Sequence, residues 1–481
     1  ELGPYQLTVY DDSETVPAWF GRGVTYQIFP DRFCRSRIPD PTGLVGGRTV
    51  HQNWEDEPVY RPDERGEIRN RDFFGGDLAG IREKLPYLRE LGVETLYLCP
   101  IFEASSNHRY NTGDYRRIDP MLGTEEDFRA LCAEAHALGI RVILDGVFNH
   151  NGKDSRYFNA DGRYDTVGAA QSQDSPYYPW FHFHPWPTDY DAWWGIRDLP
   201  AVNESAPSYR DFIFEGEDSV IRHWLRAGAD GWRLDVANEL DDGFLRAFRA
   251  SVKAAKSDAL IVGEVWENAA HYLGGDMLDS AMNYDFRRYC RRFFAEQTVD
   301  AETFDTNVST LLLRYNENAL FAQLNLLDSH DVSRFLSLCG GKTERMELAV
   351  LLQMTFPGMP CVFYGDEKGL CGESEPEYRR PMAWDASSPL EEVYRRMIAL
   401  RKTHPALRYG SFHTELACGG VYRYSRVWNG TKITVAMNLG AEPVKAEKRG
   451  TLLLKKGENR DIIGAWEYEV WEEQNDGGND L

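Results

Sequence analysis

The sequence predicts an α/β fold, a (β/α)8 barrel with an inserted subdomain after its third strand and a C-terminal antiparallel β-sandwich domain. Three observations predict it. Short apolar runs alternate with helical patterns over most of the 481 residues, which is typical of β/α units around a parallel sheet. One long aperiodic stretch interrupts this alternation, and a period-two pattern replaces it near the C-terminus. The eight candidate strands are the number that closes a TIM barrel.

Three candidate strands precede the interruption, at residues 23–28, 94–99 and 141–145. Between the first two, apolar residues recur at helical spacing from Leu78 to Leu88, although Pro86 must begin or kink a turn there. Between the second and third, Thr124 is an N-cap candidate followed by acidic residues, and the helical pattern stops at Gly139. The first part of the chain therefore predicts three β/α units.

The interruption covers residues 152–208, which are rich in Asp, Tyr, Trp, Pro and Ser and lack clean periodicity. A stretch of this length without regular elements indicates an inserted subdomain rather than a loop. The alternation then resumes with a helix around Trp224 and a last helix near residues 390–401. The remaining predicted strands lie at 231–236, 259–265, 278–284, 319–327 and 360–364.

The pattern changes again after the last helix. Residues 421–427 alternate with period two, Asn429-Gly430 supplies hairpin-turn chemistry, and residues 432–439 read as the partner strand. The acidic, glycine-rich tail at 472–481 is predicted to be disordered. The predicted organisation begins with a linker at residues 1–19. A barrel in two parts follows, at 20–151 and 209–404, with the inserted domain at 152–208 between them. A C-terminal β domain covers residues 405–481.

Composition excludes several classes of protein. The chain has 54 basic and 76 acidic residues, a net charge of −22, which argues against a nucleic-acid partner. No run approaches the ~20 apolar residues that span a bilayer, so no membrane association is expected. The eight cysteines show no Cys-x-x-Cys spacing, which argues against a zinc knuckle or a disulfide framework and favours the cytoplasm. Because the chain starts at Glu1, secretion after removal of a signal peptide stays open.

Polar residues cluster where the predicted strands end, which is where barrel enzymes place their catalytic groups. The third strand leads to His150, the fourth to Asp235, the fifth to Glu264 and the seventh to Asp331. Neighbouring carboxylates raise one another's pKa, so such a concentration of acids needs a chemical reason. A glycosidase supplies one, since it needs one carboxylate as nucleophile or base and a second carboxyl as acid.

Two neighbours would separate these roles. Arg233, two residues before Asp235, faces the same side of the strand and would keep Asp235 ionised, while Trp266 and an apolar run would favour a protonated Glu264. Each residue alone also has another explanation. A strand-end Asp often caps a helix, and His150 with Asp145 and Asn149 suggests metal ligation, although a lone histidine is usually a hydrogen-bonded part of the scaffold and a sugar contact explains His150 better. We interpret Asp145 and Asn149 as supporting or structural residues. The joint order of the strand-end residues along the chain is what favours catalysis.

Five further segments, 26–33, 73–78, 106–115, 199–203 and 364–367, complete a recognisable set. With the strand ends, they resemble the conserved regions of the alpha-amylase family of retaining glycoside hydrolases, glycoside hydrolase family 13. They are most similar to its neopullulanase, cyclomaltodextrinase and maltogenic amylase branch. The resemblance covers roughly residues 20–470.

The resemblance implies a role for each site residue. Asp235 would be the nucleophile, Glu264 the acid/base, and Asp331 the residue that holds sugar hydroxyls and steadies an oxocarbenium-like transition state. The carboxyl groups of Asp235 and Glu264 would then lie about 5–6 Å apart. The implied substrate-binding residues are His150, Arg233 and His330 at the cleavage subsite, Tyr110 beneath the glucose ring, Glu239 and Trp266 on the leaving-group side, and Arg379 with Glu375 further out.

The resemblance implies an enzyme that cleaves α-1,4-glucosidic bonds in maltooligosaccharides, cyclodextrins, pullulan or starch through a covalent glycosyl-enzyme. A glucanotransferase or a trehalose-synthase-like transglycosylase is the alternative. A non-catalytic scaffold of the same fold is disfavoured because all three acids are present.

Two departures from the branch carry further expectations. Many members have an Asn/Asp-rich calcium loop soon after the first strand, where this sequence has residues 33–39, although the later partner Asp77 is present. We therefore expect no required cofactor, no calcium and no metal ligands. The branch usually carries an N-terminal β domain that pairs two subunits, and residues 5–10 look like the linker that follows it. We therefore expect this chain to lack the contacts that pair two subunits and the wall that narrows the cleft. Together with the net charge of −22, this expected lack favours a monomer with an open cleft that tolerates long glucans.

Overall fold

The computed structural model describes residues 9–10, 16–59, 62, 64, 70–447 and 449–474. Eight parallel strands close into a barrel in which each strand pairs with its neighbours in sequence and the eighth pairs with the first. Their residues are almost all buried, as expected of a parallel sheet covered by helices. The strands are β1 (Thr25–Ile28), β2 (Thr95–Leu98), β3 (Arg141–Gly146), β4 (Gly231–Leu234), β5 (Leu260–Gly263), β6 (Ser280–Asn283), β7 (Leu324–Leu326) and β8 (Met359–Phe363).

Two of the helices that cover the barrel begin where the sequence predicts. Thr124 caps the helix Glu125–Ala137 through a complete capping box with Asp127, and Pro86 lies in the first turn of Leu85–Leu91. The other α-helices are Pro30–Phe33, Leu78–Glu83, Pro207–Arg210, Val220–Ala227, Asp242–Ala255, Tyr284–Cys290, Ala301–Arg314, Glu317–Ala322, Phe335–Leu338, Thr343–Thr355, Pro389–Thr403 and Pro405–Tyr409. Single π-helical turns lie at Asp211–Glu215 and Arg291–Ala295, and 3-10 turns at Tyr178–Trp180, Trp193–Gly195, Ala237–Glu239, Ala270–Leu273 and Glu377–Arg379.

Each predicted barrel strand overlaps an observed one, but the seventh starts later than predicted. Residues predicted as the start of this strand form the helix Glu317–Ala322 instead. The side chain of Asn316 accepts a hydrogen bond from the Ala319 backbone N–H and so caps this helix. The strand covers only Leu324–Leu326, because the capped residues before it form helical hydrogen bonds instead of pairing with a neighbouring strand.

The aperiodic segment 152–208 folds around aromatic side chains. An isolated bridge between His150 and Ala201 ties the segment to the chain that follows β3, and a second bridge, between Ala192 and Pro200, lies within the segment. Phe158 is fully buried and contacts the rings of Phe181 and Tyr190 at 4.9 and 4.6 Å. Aromatic packing, rather than a regular sheet, therefore holds this segment over the rim of the barrel.

The C-terminal part is a five-stranded antiparallel sheet made of β9 (Ser411–Cys418), β10 (Val421–Trp428), β11 (Thr431–Asn438), β12 (Thr451–Lys456) and β13 (Glu467–Gln474). The order across the sheet is β9–β10–β11–β13–β12. Its tight turn at Asn429-Gly430 has φ of +46° and +76°, as the predicted hairpin requires. The predicted disorder of 472–481 is wrong for its first three residues, which pair with β11; residues 475–481 lie outside the described part.

Three short ribbons complete the fold: Thr49–Val50 with Asp72–Phe73, Phe102–Ala104 with Thr112–Ile118, and Val444–Lys445 with Ile462–Ile463. Within the described residues, no helix has both the length and the apolar character needed to cross a membrane. The predicted linker at 1–19 lies largely outside the described residues.

Candidate active site

A cleft of about 1360 Å³ opens at the rim where the carboxyl ends of the barrel strands meet. Ten of the eleven predicted site residues line it, and the eleventh, Arg233, is fully buried beneath it. The cleft is larger than the ~300–1,000 Å³ typical of small-molecule pockets, so it has room for several sugar units. The residues that the sequence scattered over four strand ends are thus brought together.

Asp235 and Glu264 directly follow β4 and β5 and share one cation. Nη1 of Arg233 lies 2.8 Å from Oδ1 of Asp235, and Nη2 of Arg233 lies 2.9 Å from Oε2 of Glu264. Because a guanidinium is small, rigid and planar, it fixes the two carboxyl groups close to one another. This arrangement suits the short carboxyl separation, about 5–5.5 Å, that retaining glycosidases use.

Asp145 anchors this cation from the neighbouring strand. It lies opposite Arg233 in the β3–β4 register, and its Oδ1 is 2.8 Å from Nη1 of Arg233. Its Oδ2 accepts hydrogen bonds from the hydroxyls of Tyr97 and Tyr110, at 2.7 and 2.8 Å. Asp145 therefore orients Arg233 and Tyr110 from below the cleft, a supporting role in line with its sequence reading.

Both oxygens of Glu264 accept hydrogen bonds. Oε2 accepts the backbone N–H of Val236 at 2.9 Å, and Oε1 accepts the indole N–H of Trp266 at 3.1 Å. Val236 has φ +41°, a left-handed conformation that is rare for a β-branched residue and typical of strained functional sites. The expectation of simply apolar surroundings for Glu264 is therefore incomplete, because a strained turn aims a backbone donor at it.

The charge state of Asp235 is governed first by its burial. Burial raises its pKa, Arg233 lowers it, and the nearby carboxyls of Glu264, Asp145 and Asp331 raise it again, so that the pKa lies well above the ordinary value. The expectation that Arg233 keeps Asp235 ionised thus describes the contact correctly but is wrong about the balance, because burial outweighs that contact.

This balance predicts the acid limb of the pH profile. A carboxyl attacks only when ionised, so a raised pKa of Asp235 should make kcat/KM fall, as pH decreases, at a pH above the ~3.9 of an ordinary Asp. Measuring kcat/KM on maltotriose from about pH 3 to 8 tests this. An acid limb at or below ~3.9 would contradict the prediction.

Asp331 belongs to a second charged group on the opposite wall. Its Oδ2 lies 2.9 Å from Nε2 of His330, and its Oδ1 accepts from Nη2 of Arg379 at 3.3 Å. Burial alone would raise the pKa of Asp331, but His330, Arg379 and Arg233 together hold it well below the usual range. Burial opposes the charge on His330, yet Asp331 outweighs it and raises the His330 pKa to about 10. This wall therefore presents an ionised carboxylate to the cleft.

The remaining predicted residues occupy the walls. Arg379 also contacts Glu375, with Nη1 and Oε1 2.6 Å apart, which is the pair the sequence placed four residues apart. The Tyr110 ring stacks on His330 with ring centres 5.1 Å apart and planes 4° from parallel. Burial lowers the pKa of His150 to about 3, so its imidazole is neutral, and its buried Nε2 has no hydrogen-bond partner among the described residues. Such a nitrogen can serve a substrate hydroxyl.

Sequence reasoning missed the environment of Glu239. The indole N–H groups of Trp193 and Trp194 donate to its Oε2 and Oε1, at 3.0 and 2.9 Å. His108 and Tyr272 also line the cleft without having been predicted there. The two adjacent tryptophans, Trp193 and Trp194, were the available sequence signal for the environment of Glu239. His108 lies in the segment 106–115, which was used only for its resemblance to the family and not as a source of site residues.

The carboxylate of Asp77, the later partner of the loop at 33–39, accepts hydrogen bonds from the protein itself. Oδ1 of Asp77 accepts the Gly80 backbone N–H at 2.6 Å, and its Oδ2 accepts the Ser36 hydroxyl at 2.6 Å. This carboxylate caps the helix Leu78–Glu83 and has its oxygens committed. Over the described ranges, no group of three or more His, Cys, Asp or Glu side chains is arranged to hold a metal ion.

The chain is similar in sequence and in structure to known proteins of the alpha-amylase family. The family model for the alpha-amylase catalytic domain matches residues 27–388. The chain is 40% identical over 453 residues to neopullulanase 2 of Thermoactinomyces vulgaris, covering 91% of this chain and 73% of that protein. It is 36% identical to the cyclomaltodextrinase of Thermoanaerobacter pseudethanolicus, covering 93% and 74%. The ligand-free structure of cyclic alpha-maltosyl-(1→6)-maltose hydrolase from Arthrobacter globiformis aligns with TM-score 0.82 at 33% identity, covering 95% of this chain and 99% of that one.

Proposed function

We propose residue roles and a substrate class for this chain, which belongs to the alpha-amylase family of glycoside hydrolases and is an α-glucan hydrolase of the retaining type. One observation carries the proposal: a single buried guanidinium bridges Asp235 and Glu264 at the base of the cleft. We assign Asp235 as nucleophile, Glu264 as acid/base and Asp331 as the group that orients the sugar.

The first step is displacement at the anomeric carbon. A carboxylate oxygen of Asp235 attacks that carbon, the glycosidic C–O bond breaks, and the electron pair leaves with the departing oxygen, which takes a proton from Glu264. To deliver this proton, Oε1 of Glu264 must exchange its contact with the Trp266 N–H for one with the leaving oxygen. The ionised Asp331 stands where it can hold hydroxyls of a ring that becomes cation-like.

The second step regenerates the enzyme. Glu264, now a carboxylate, takes a proton from water, and the resulting hydroxide oxygen displaces Asp235 from the anomeric carbon. Two inversions at one carbon give net retention, so the new reducing end is released as the α-anomer. Arg233 contacts both carboxyl groups, which supports its assignment as the cation that stays with the pair as charge moves between them.

We propose linear and cyclic α-glucans, from malto-oligosaccharides and cyclodextrins to pullulan and starch, as the substrate class. The relatives named above include a neopullulanase, a cyclomaltodextrinase and a hydrolase of a cyclic maltosyl-maltose. The cleft of about 1360 Å³ is open at the rim and accommodates more than one sugar ring. The expectation that the cleft also tolerates long glucans such as starch stays part of this proposal.

The test is product analysis with the stereochemistry followed in time. We expect maltotriose and a cyclodextrin to yield glucose and maltose, with the α-anomer of the new reducing end formed first in proton NMR spectra. A β-anomer formed first would contradict the mechanism. Accumulation of chains longer than maltotriose, without net gain of reducing ends, would instead identify a glucanotransferase.

Three further proposals concern the state of the protein. We propose that catalysis needs no cofactor, since the two carboxyl groups supply all the proton transfers and Asp77 is committed to its helix cap.

We propose a monomer, since a net charge of −22 opposes self-association, and light scattering would measure this directly. We propose a cytoplasmic location, which the eight free cysteines, six of them buried, support.

A further inference from the structure

Three stacked rings run outward from the cleavage site to the mouth of the cleft. The His150 imidazole lies nearly parallel to the Trp193 indole with ring centres 4.9 Å apart, and Trp193 lies against Trp194 with centres 5.1 Å apart. The outermost ring, Trp194, is 78% exposed, whereas the other exposed tryptophans among the described residues, Trp266 and Trp428, are 45% and 38% exposed. One face of this indole packs on Trp193, and the other is open to the cleft.

The exposed ring is held rather than loose. The two oxygens of Glu239 accept one N–H each from Trp193 and Trp194, at 3.0 and 2.9 Å. The Trp193 backbone N–H donates to the Leu199 carbonyl at 2.9 Å, which closes the loop beneath the rings. Trp194 itself has φ +49° and ψ +26°, a left-handed conformation that favours glycine. Strain of this kind persists where the surroundings enforce it, and it clusters at ligand sites.

The position of Glu239 fixes the side of the cleft that the rings occupy. The 3-10 turn Ala237–Glu239 is bonded to the backbone of Glu264, through the Ala237 N–H and the Glu264 carbonyl at 3.1 Å. In the proposed function Glu264 protonates the leaving oxygen, so the neighbouring turn lies beside the departing chain. Trp266, 45% exposed, lines the same region.

We propose that Trp194 is a specificity-determining residue that stacks on a glucose ring on the leaving-group side, and that Glu239 is a positioning residue that aims it. This inference rests on the proposed function. The faces of a glucopyranose ring carry C–H groups that pack on an open indole face, while its hydroxyls point outward to solvent. Because both oxygens of Glu239 are already committed to the indoles, this carboxylate acts on the sugar through the ring it holds.

The test compares two substrates that differ on the leaving-group side. Maltohexaose places glucose units there, whereas the leaving group of α-maltosyl fluoride is a bare fluoride ion. In Trp194→Ala we expect kcat/KM for maltohexaose to fall about 5- to 10-fold, while that for the fluoride stays within about 2-fold of the wild type. The matched control is Trp428→Ala at the end of β10, an exposed tryptophan that does not line the cleft and should alter neither value.

Two variants separate the ring from its support. Trp194→Phe keeps a stacking face and should retain most of the maltohexaose rate, whereas Glu239→Ala should lower that rate as Trp194→Ala does. Equal losses on both substrates, or no loss on maltohexaose, would overturn the inference. A wild-type enzyme that hydrolyses neither substrate would overturn the proposed function, and this inference with it.

Discussion

Replacing Asp235 by Asn should abolish turnover of maltotriose, with kcat lowered by roughly 10⁵-fold, while substrate binding persists. Asparagine has the same shape and its carbonyl oxygen can still accept from Arg233, which now lies 2.8 Å from Oδ1 of Asp235. The amide is too weak a nucleophile to displace a glycosidic oxygen, so the loss falls on the chemical step. Calorimetric titration of this variant with maltohexaose should therefore give a Kd within about 3-fold of the wild-type KM.

The same variant should not be less stable than the wild type. Burial raises the pKa of Asp235, which means that the folded site disfavours the charge it needs, and a neutral amide removes that cost. Thermal unfolding should show an unchanged or higher Tm. Asp258→Asn is the matched control, since Asp258 is half-exposed and precedes β5, at the end of the barrel away from the cleft, and it should keep full activity. Retention of a tenth of the wild-type rate by Asp235→Asn would contradict the assignment of the nucleophile.

The positions of the two proposed catalytic acids were predictable because each follows a strand whose pattern is local. Asp235 and Glu264 come immediately after short apolar runs, and the carboxyl ends of barrel strands all meet at one rim. Their approximate arrangement in space therefore depends only on the closure of the barrel. The pairing of Asp145 with Arg233 follows in the same way from the register of β3 and β4.

Other features depend on contacts that no local pattern encodes. The left-handed turn at Val236 is imposed by its surroundings on a residue that disfavours it, and its role is visible only through the N–H it directs to Glu264. The clamp on Trp194 needs the segment 152–208 to fold over the rim, and that segment is held by aromatic packing without periodicity. Sequence periodicity cannot report such packing.

The raised pKa of Asp235 shows a third kind of limit. The neighbour two residues away, Arg233, was correctly identified, and it does contact the carboxylate. The depth of burial and the charges of Glu264 and Asp331 come from distant parts of the chain, and together they outweigh that neighbour. A pKa is a sum over the three-dimensional surroundings, so a local pair predicts only one of its contributions.

Replacing Glu264 by Gln should slow the two chemical steps to different degrees. With maltohexaose, whose departing sugar needs a proton, kcat should fall by roughly 10³- to 10⁴-fold. With α-maltosyl fluoride the departing ion needs little protonation, so Asp235 should still displace it. The second step then lacks its base, and the maltosyl-enzyme should accumulate as a covalent adduct visible by mass spectrometry of the intact protein.

Azide distinguishes this loss of a base from a general distortion of the site. Azide attacks without giving up a proton, so it should restore turnover of α-maltosyl fluoride by Glu264→Gln and form maltosyl azide of α configuration. It should not restore turnover of maltohexaose, because the first step there still lacks its acid. If azide rescued neither substrate and no adduct formed, the missing function would lie before the attack of Asp235, and Glu264 would not be the acid/base.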